Sequence, residues 1–267
     1  MIVALTSAGG SPGVTTTVLA LAAAWPRRVL VVEADPVGAS PILAGCFRGQ
    51  LPHDRGVAAL VLAAQAGTLA EALREVPLPL PGRAEAAVVP GLSTPEQAGA
   101  VARLWPEVLV AVRDLEPATD VVVDAGRLGH RHEPAALLRA ADTVGLVLRP
   151  TLPAVAVARA RLRTPDSPLP GAPGRLGLVV VGREPYPPGE VGRALGTPVL
   201  GTLPWAPTHA AVYSDGRTPP RSRRRPLDGA AGRLARSLVP TGHDADAGHD
   251  ADAGRSVLSD GLAGTPT

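Results

Sequence analysis

Lysine and asparagine are absent from the 267 residues, and isoleucine occurs only twice. Glycine and proline number 30 each, and alanine and arginine are abundant, the residue usage of a GC-rich genome. All 26 basic side chains other than histidine are therefore arginine. Guanidinium groups do not titrate near neutrality, so the isoelectric point of about 9.3 reflects side-chain type. The formal net charge is only +2. Aromatic residues make up 2% of the chain, which excludes a core built on rings; at 45% apolar, Ala, Val and Leu must fill it. A single cysteine, Cys46, excludes an internal disulfide and suits a cytoplasmic protein. No apolar run reaches the ~20 residues of a membrane span. The N-terminus has no basic segment ahead of its first strand pattern, so no signal peptide is expected. The length fits one α/β domain with tails, or at most two small domains.

Charge is unevenly placed. Residues 1–216 hold 18 arginines and 18 acids. Residues 217–236 hold seven arginines against Asp228, and residues 243–267 hold five aspartates and one arginine. A neutral body thus runs into a basic collar and an acidic tail. The tail duplicates His-Asp-Ala-Asp-Ala-Gly at 243–248 and 249–254. Such composition cannot bury a core, and disorder is expected beyond about residue 240.

Apolar β-branched runs alternate with Ala/Leu-rich helical patterns, which predicts a mostly parallel sheet with helices on both faces. Strands are expected at 2–6, 29–33, 87–90, 120–124, 143–149, 176–181 and 198–201. They alternate little, as strands covered on both faces do. Helices are expected near 15–24, 55–66, 94–113, 133–140, 152–163, 187–195, 206–214 and 227–238. The Pro/Gly-rich stretches 77–82 and 164–174 read as loops. One domain over 1–240, with 217–238 as collar and terminal helix, precedes a tail at 241–267.

Between the first strand and first helix stands Thr6-Ser7-Ala8-Gly9-Gly10-Ser11-Pro12-Gly13-Val14-Thr15-Thr16-Thr17. A glycine-rich turn entering a helix presents N–H groups and a positive helix end, a setting for phosphate. Pro12 removes one donor. Val14 stands where a P-loop lysine would place its charge. Compositional drift toward GC would turn lysine into arginine and keep that charge, so valine is a chemical loss. Two other strands end in acids: Val31-Val32-Glu33-Ala34-Asp35-Pro36 and Asp120-Val121-Val122-Val123-Asp124-Ala125-Gly126-Arg127. The second has the form of a Walker-B strand, whose aspartate holds Mg²⁺. A third, 142–151, runs into a helix with Thr151 at its cap position.

In order and spacing these segments resemble the ParA/MinD family of deviant-Walker P-loop ATPases. That family reads roughly K-G-G-x-G-K-T-T, then D-x-D-P, then D-x-x-x-x-D. The resemblance spans residues 1 to about 238. It implies ATP and Mg²⁺ at the strand ends, a nucleotide-bridged homodimer, and roles in placing DNA, division sites or secretion machines. By position, Gly9, Gly10, Ser11, Pro12, Gly13, Val14, Thr15 and Thr16 would line the nucleotide. Thr15 and Asp124 would hold the metal together with Asp35, which would also orient the attacking water. Gly126 would lie in switch II. The departures are Gly9, in place of the lysine that reaches across the dimer, Val14, in place of the main lysine, and Gly182, in place of an asparagine that reads adenine. Arg127, Arg131 and Arg183 are candidate charge substitutes. Tyr186 and Trp205 are expected to pack in the core, with a partner-facing surface as the alternative.

The resemblance is to a degenerate, TadZ/CpaE-like member. It implies a cytoplasmic positioning or scaffold protein, at the membrane or nucleoid periphery, that binds ATP weakly or not at all and serves a pilus or secretion ATPase. The alternative is an active partition ATPase, an ATP hydrolase, that binds DNA non-specifically through Arg221, Arg223, Arg224 and Arg225. The collar has two further readings: an amphipathic membrane helix with Leu227, Ala231, Leu234 and Leu238 on one stripe, or a terminal helix packed on the sheet.

Overall fold

The structure, a computed structural model, describes residues 1–115, 118–169, 175–219 and 225–239. The β-branched runs become one sheet of eight strands among these residues: β1 (Ile2–Ser7), β2 (Val29–Glu33), β3 (Leu78–Pro79), β4 (Ala86–Val89), β5 (Asp120–Arg127), β6 (Thr143–Leu148), β7 (Leu176–Val181) and β8 (Val199–Leu203). Their order across the sheet is β3-β4-β2-β5-β1-β6-β7-β8. All pairs are parallel except β3–β4. The sheet is thus the expected mostly parallel α/β architecture. The connecting helices are α1 (Val14–Ala24), α2 (Val57–Gln65), α3 (Leu69–Glu75), α4 (Ala98–Arg113), α5 (Ala135–Ala140), α6 (Leu152–Leu162), α7 (Pro188–Leu195), α8 (Pro207–Ser214) and α9 (Pro226–Leu238).

Successive strand residues face opposite sides, and two cores result. Ile2, Ala4, Leu30 and Val32 join one with α2 to α7. Val3, Leu5, Val29 and Val31 join the other with α1 and α9. Leu227, Ala231, Leu234 and Leu238 are all buried in that second core. The packed-helix reading of this stripe therefore holds. The membrane-helix reading does not, because the apolar face is already covered. No helix among the described residues is long and apolar enough to cross a membrane.

Several expectations need correction. α3 was not anticipated: the helix expected to 66 stops at Gln65, Gly67 turns left-handed at φ 73°, and Thr68 precedes a second short helix. β3 lies inside the stretch read as a loop. It pairs antiparallel at the sheet edge, where Pro79 can be accommodated without an N–H. The helix expected from 94 begins at Ala98, after a 3₁₀ turn, Pro95–Gln97, closed by reciprocal Thr94 and Gln97 capping bonds. The strand expected at 198–201 is Val199–Leu203, extended by its pairing of Leu203 with Val181. A one-turn π-helix, Ile42–Cys46, was not foreseen either. Thr151 does stand at the cap of α6, but its side chain makes no capping bond.

At the amino ends of the strands, buried Asp120 gathers donors. It accepts hydrogen bonds from Trp25 Nε1 at 2.9 Å and from Arg27 Nε and Nη2 at 2.9 and 2.7 Å. At the carboxyl ends, β1 lies between β5 and β6, the point where the chain order reverses and a crevice opens.

Candidate functional site

The loop after β1 occupies that crevice. Gly13 is left-handed at φ 94°, ψ 47°, a conformation that strains any residue with a Cβ. It brings no side-chain cap, and the first turn of α1 holds no acid, so the first N–H groups of the helix are left for an anion. Gly10 and Ser11 also have positive φ, 75° and 43°. Val14 is buried in the core on the α1 side of the sheet. Position 14 thus gives the loop no charge, and its side chain is committed elsewhere. Gly9 leaves its own place bare; an added Cβ would approach Val157 to 3.3 Å.

Three carboxyl groups meet beside the loop. Glu33 and Asp124 are register partners on β2 and β5, and both are buried. Burial pushes Glu33 above the usual carboxylate range, while hydrogen bonds from Ser40, Gly91 and Ile42 pull it part of the way back. Its Oε2 accepts from Gly91 N at 2.7 Å, so it ties the loops after β2 and β4 together. Burial pushes Asp124 up to about 7; the Thr15 hydroxyl draws it down, and the charges of Glu33 and Asp35 push it further up. Asp124 Oδ1 accepts from Gly126 N at 3.0 Å, and Oδ2 meets no donor in bonding geometry. Asp35 accepts from Val37 N at 3.0 Å and lies flat on Gly126. An added Cβ at Gly126, whose φ is 60°, would stand 2.3 Å from the Asp35 carboxyl carbon, so only glycine fits.

The structure therefore brings Thr15, Asp35, Asp124 and Gly126 together at the mouth of the loop. Among the described residues no three His, Cys, Asp or Glu groups could hold a metal by themselves. Mg²⁺ commonly takes one or two carboxylates, with phosphate and water completing its shell. The orphaned Asp124 Oδ2 and the Thr15 hydroxyl suit an ion of that kind, shared with a phosphate.

Beyond the loop, at the ends of β6, β7 and β8, a cavity of about 490 Å³ is lined by Arg149, Gly182, Arg183, Trp205, Ala230 and Arg233, among others. Trp205 is 56% exposed rather than packed in the core, and the Arg149 guanidinium stacks on it 4.0 Å from the ring centroid. Tyr186 is partly buried against the α2–α7 core, as expected. Of the candidate charge substitutes, Arg127 is exposed and bonds His130 Nε2 at 3.1 Å. Arg131 is exposed, and Arg183 lines the cavity by Trp205. Arg149, which sequence reasoning passed over, lines both this cavity and a smaller one of about 270 Å³ shared with Gly9, Gly10 and Pro12. The available signal was an arginine directly after a buried strand. Arg221, Arg223 and Arg224 lie outside the described residues, as does the acidic tail; Arg225 is exposed and 3.8 Å from Asp228.

No protein-family model matches the chain, and no curated protein matches it. Solved structures do. The cell division ATPase MinD of Pyrococcus furiosus is 19% identical, with a TM-score of 0.66 over 89% of this chain and 97% of that one. The septum site-determining protein MinD of Pyrococcus horikoshii, solved with Mg-ADP, is 18% identical, with a TM-score of 0.65 over 89% and 95%. A ParA family ATPase from Chlorobium tepidum is 14% identical, with a TM-score of 0.65 over 89% and 98%. With eight strands in this order among the described residues, a glycine loop entering α1, and aspartates on β5 and in the turn after β2, the chain has the fold of the MinD and ParA ATPases.

Proposed function

We propose that the chain is a positioning or scaffold protein that keeps the nucleotide pocket of its fold without turning ATP over, and that it serves a pilus or secretion machine. The observation that carries this reading is the loop itself. Its backbone cradle is formed, yet Val14 is sunk in the core and Gly9 is bare. In this pocket the helix end and loop N–H groups would receive phosphate. Thr15 and Asp124 would hold Mg²⁺, the ion that the Pyrococcus horikoshii neighbour carries with ADP. Mg²⁺ would neutralise phosphate charge. Asp35, steadied on Gly126, would face the space where a water attacks. What is missing is charge near the transferred group, and phosphoryl transfer depends on that more than on any other contribution of the protein. A unit-charge pair ~4 Å apart is worth roughly 4 kcal/mol at an effective dielectric of 20. Two such losses leave binding weak and turnover weaker still.

Calorimetry with Mg-ATP and Mg-ADP, paired with a phosphate-release assay, tests the reading. We expect no turnover above a Thr15→Ala, Asp35→Ala control. Turnover that requires Thr15 and Asp35 would overturn it.

A partition-type ATPase working on DNA is the second reading. Its favouring observation is that Arg217, Arg225, Arg233 and Arg236 are all exposed, the last two because α9 buries only its apolar face. DNA retention that falls steeply with salt, and that neutralising Arg221 and Arg223–225 abolishes, would support it. Retention indifferent to those changes would remove it.

A further inference from the structure

The charge missing from the loop has a neighbour. β1 and β6 run parallel, with Ser7 paired to Val147. Just beyond the ends of these strands, Arg149 and Gly9, the place left bare on the loop, line the same cavity. Arg149 belongs to the wall of the cavity that Gly9, Gly10 and Pro12 line, and equally to the wall of the larger cavity by Trp205. Its Nε is enclosed and has no hydrogen-bond partner, and none of the ion pairs among the described residues involves it. Its one specific contact is the face of Trp205. A guanidinium on an exposed ring is held more weakly than one bonded to phosphate, and its planar fork suits phosphate oxygens.

Resting on the reading that the loop is an anion site without charge of its own, we propose that Arg149 is the residue that meets the phosphates of a nucleoside polyphosphate in the loop. It approaches from the end of β6 rather than from α1 and leaves Trp205 as it does so. The other arginines fit this less well. Arg183 lines the far cavity and not the one shared with the loop, and Arg127 is engaged with His130. Glu184 lines the far cavity too, and it disfavours an anion resting there rather than in the loop.

The test uses the full chain, with Mg-ATP and Mg-tripolyphosphate as separate probes, followed by calorimetry and by tryptophan emission. Trp25 and Trp105 are buried, so a change in emission on binding reports Trp205, and Trp205→Phe should abolish it. We expect both probes to shift the emission of the unaltered protein. Arg149→Gln should weaken both by roughly 10- to 100-fold, the range for a lost hydrogen bond to a charged group, while thermal melting stays unchanged. Arg183→Gln should change both less than about threefold, roughly half the smallest free-energy effect of such a loss. Arg149→Lys serves as the conservative variant and should recover part of the affinity. Equal affinity in Arg149→Gln overturns the proposal, as does a loss confined to ATP, which would place Arg149 at the base. If neither probe binds the unaltered protein, the proposal falls and the reading without turnover stands. Turnover of ATP would instead sink that reading, whatever Arg149 does.

Discussion

Asp124 is the residue whose chemistry is easiest to isolate. Its folded pKa, raised from 3.8 to about 7, means that the folded state holds its proton over a range where the unfolded chain has lost it. Its contribution is thus fully present below pH 4 and is lost as pH rises through 7. Asp124→Asn, which stays neutral, should be more stable than the parent at pH 8, by on the order of 4 kcal/mol. The difference should close toward pH 4; urea melts at several pH values measure it. The placement of the loop residues, Asp35 and Asp124 could be read from the sequence, because each lies at a fixed distance from the end of an apolar strand. Glu33 and Arg149 could not. The role of Glu33 comes from loops at 40–42 and 91 that only the fold brings to it. Arg149 matters through the cavity wall it shares with Gly9, which depends on which strands are neighbours.

At the scale of elements, the long strands and helices were legible because their apolar periods are strong. α3, β3 and the π turn were not. Each is a few residues long and is held by tertiary contact rather than by its own pattern. The π turn shows this plainly: an added Cβ at Gly45 would stand 1.9 Å from the Ser214 carbonyl oxygen at the end of α8. We expect Gly45→Val to separate the turn from α8 and to lower stability by about 1–3 kcal/mol, the usual cost of overpacking. The docking of α9 is tight in the same way. Leu234 is 3% exposed and lies against Gly201 of β8. Leu234→Ala should cost about 2–5 kcal/mol in a denaturation experiment. The covered stripe further means that the same variant should leave vesicle binding unchanged.

Over the whole molecule, the two ends of the sheet have separate tasks. The carboxyl ends gather acids, glycines and an unpaired guanidinium around a crevice. The amino ends hold Asp120, fully buried and bonded to Trp25 and Arg27. Asp120→Ala leaves those donors without their acceptor. It should destabilise the fold by about 1–3 kcal/mol, chiefly through the buried Trp25 donor, while leaving nucleotide affinity unchanged in calorimetry at a temperature where the variant is folded. Loss of affinity in a folded variant would show that the two ends are coupled. The fold was legible at this scale because the strand and helix patterns alternate regularly. The strand order was not, since pairing across the sheet leaves no local mark.

The burial of Val14 bears on any attempt to place a charge in the loop. A lysine returned to that position would take an ammonium into a core packed with aliphatic side chains, and burying an unpaired charge is far costlier than leaving it in water. A lysine at Gly9 would crowd Val157, whose methyl group would stand 3.3 Å from the added Cβ. A charge for the pocket is therefore more easily carried on the cavity rim, where Arg149 already stands, than on either of these two loop positions.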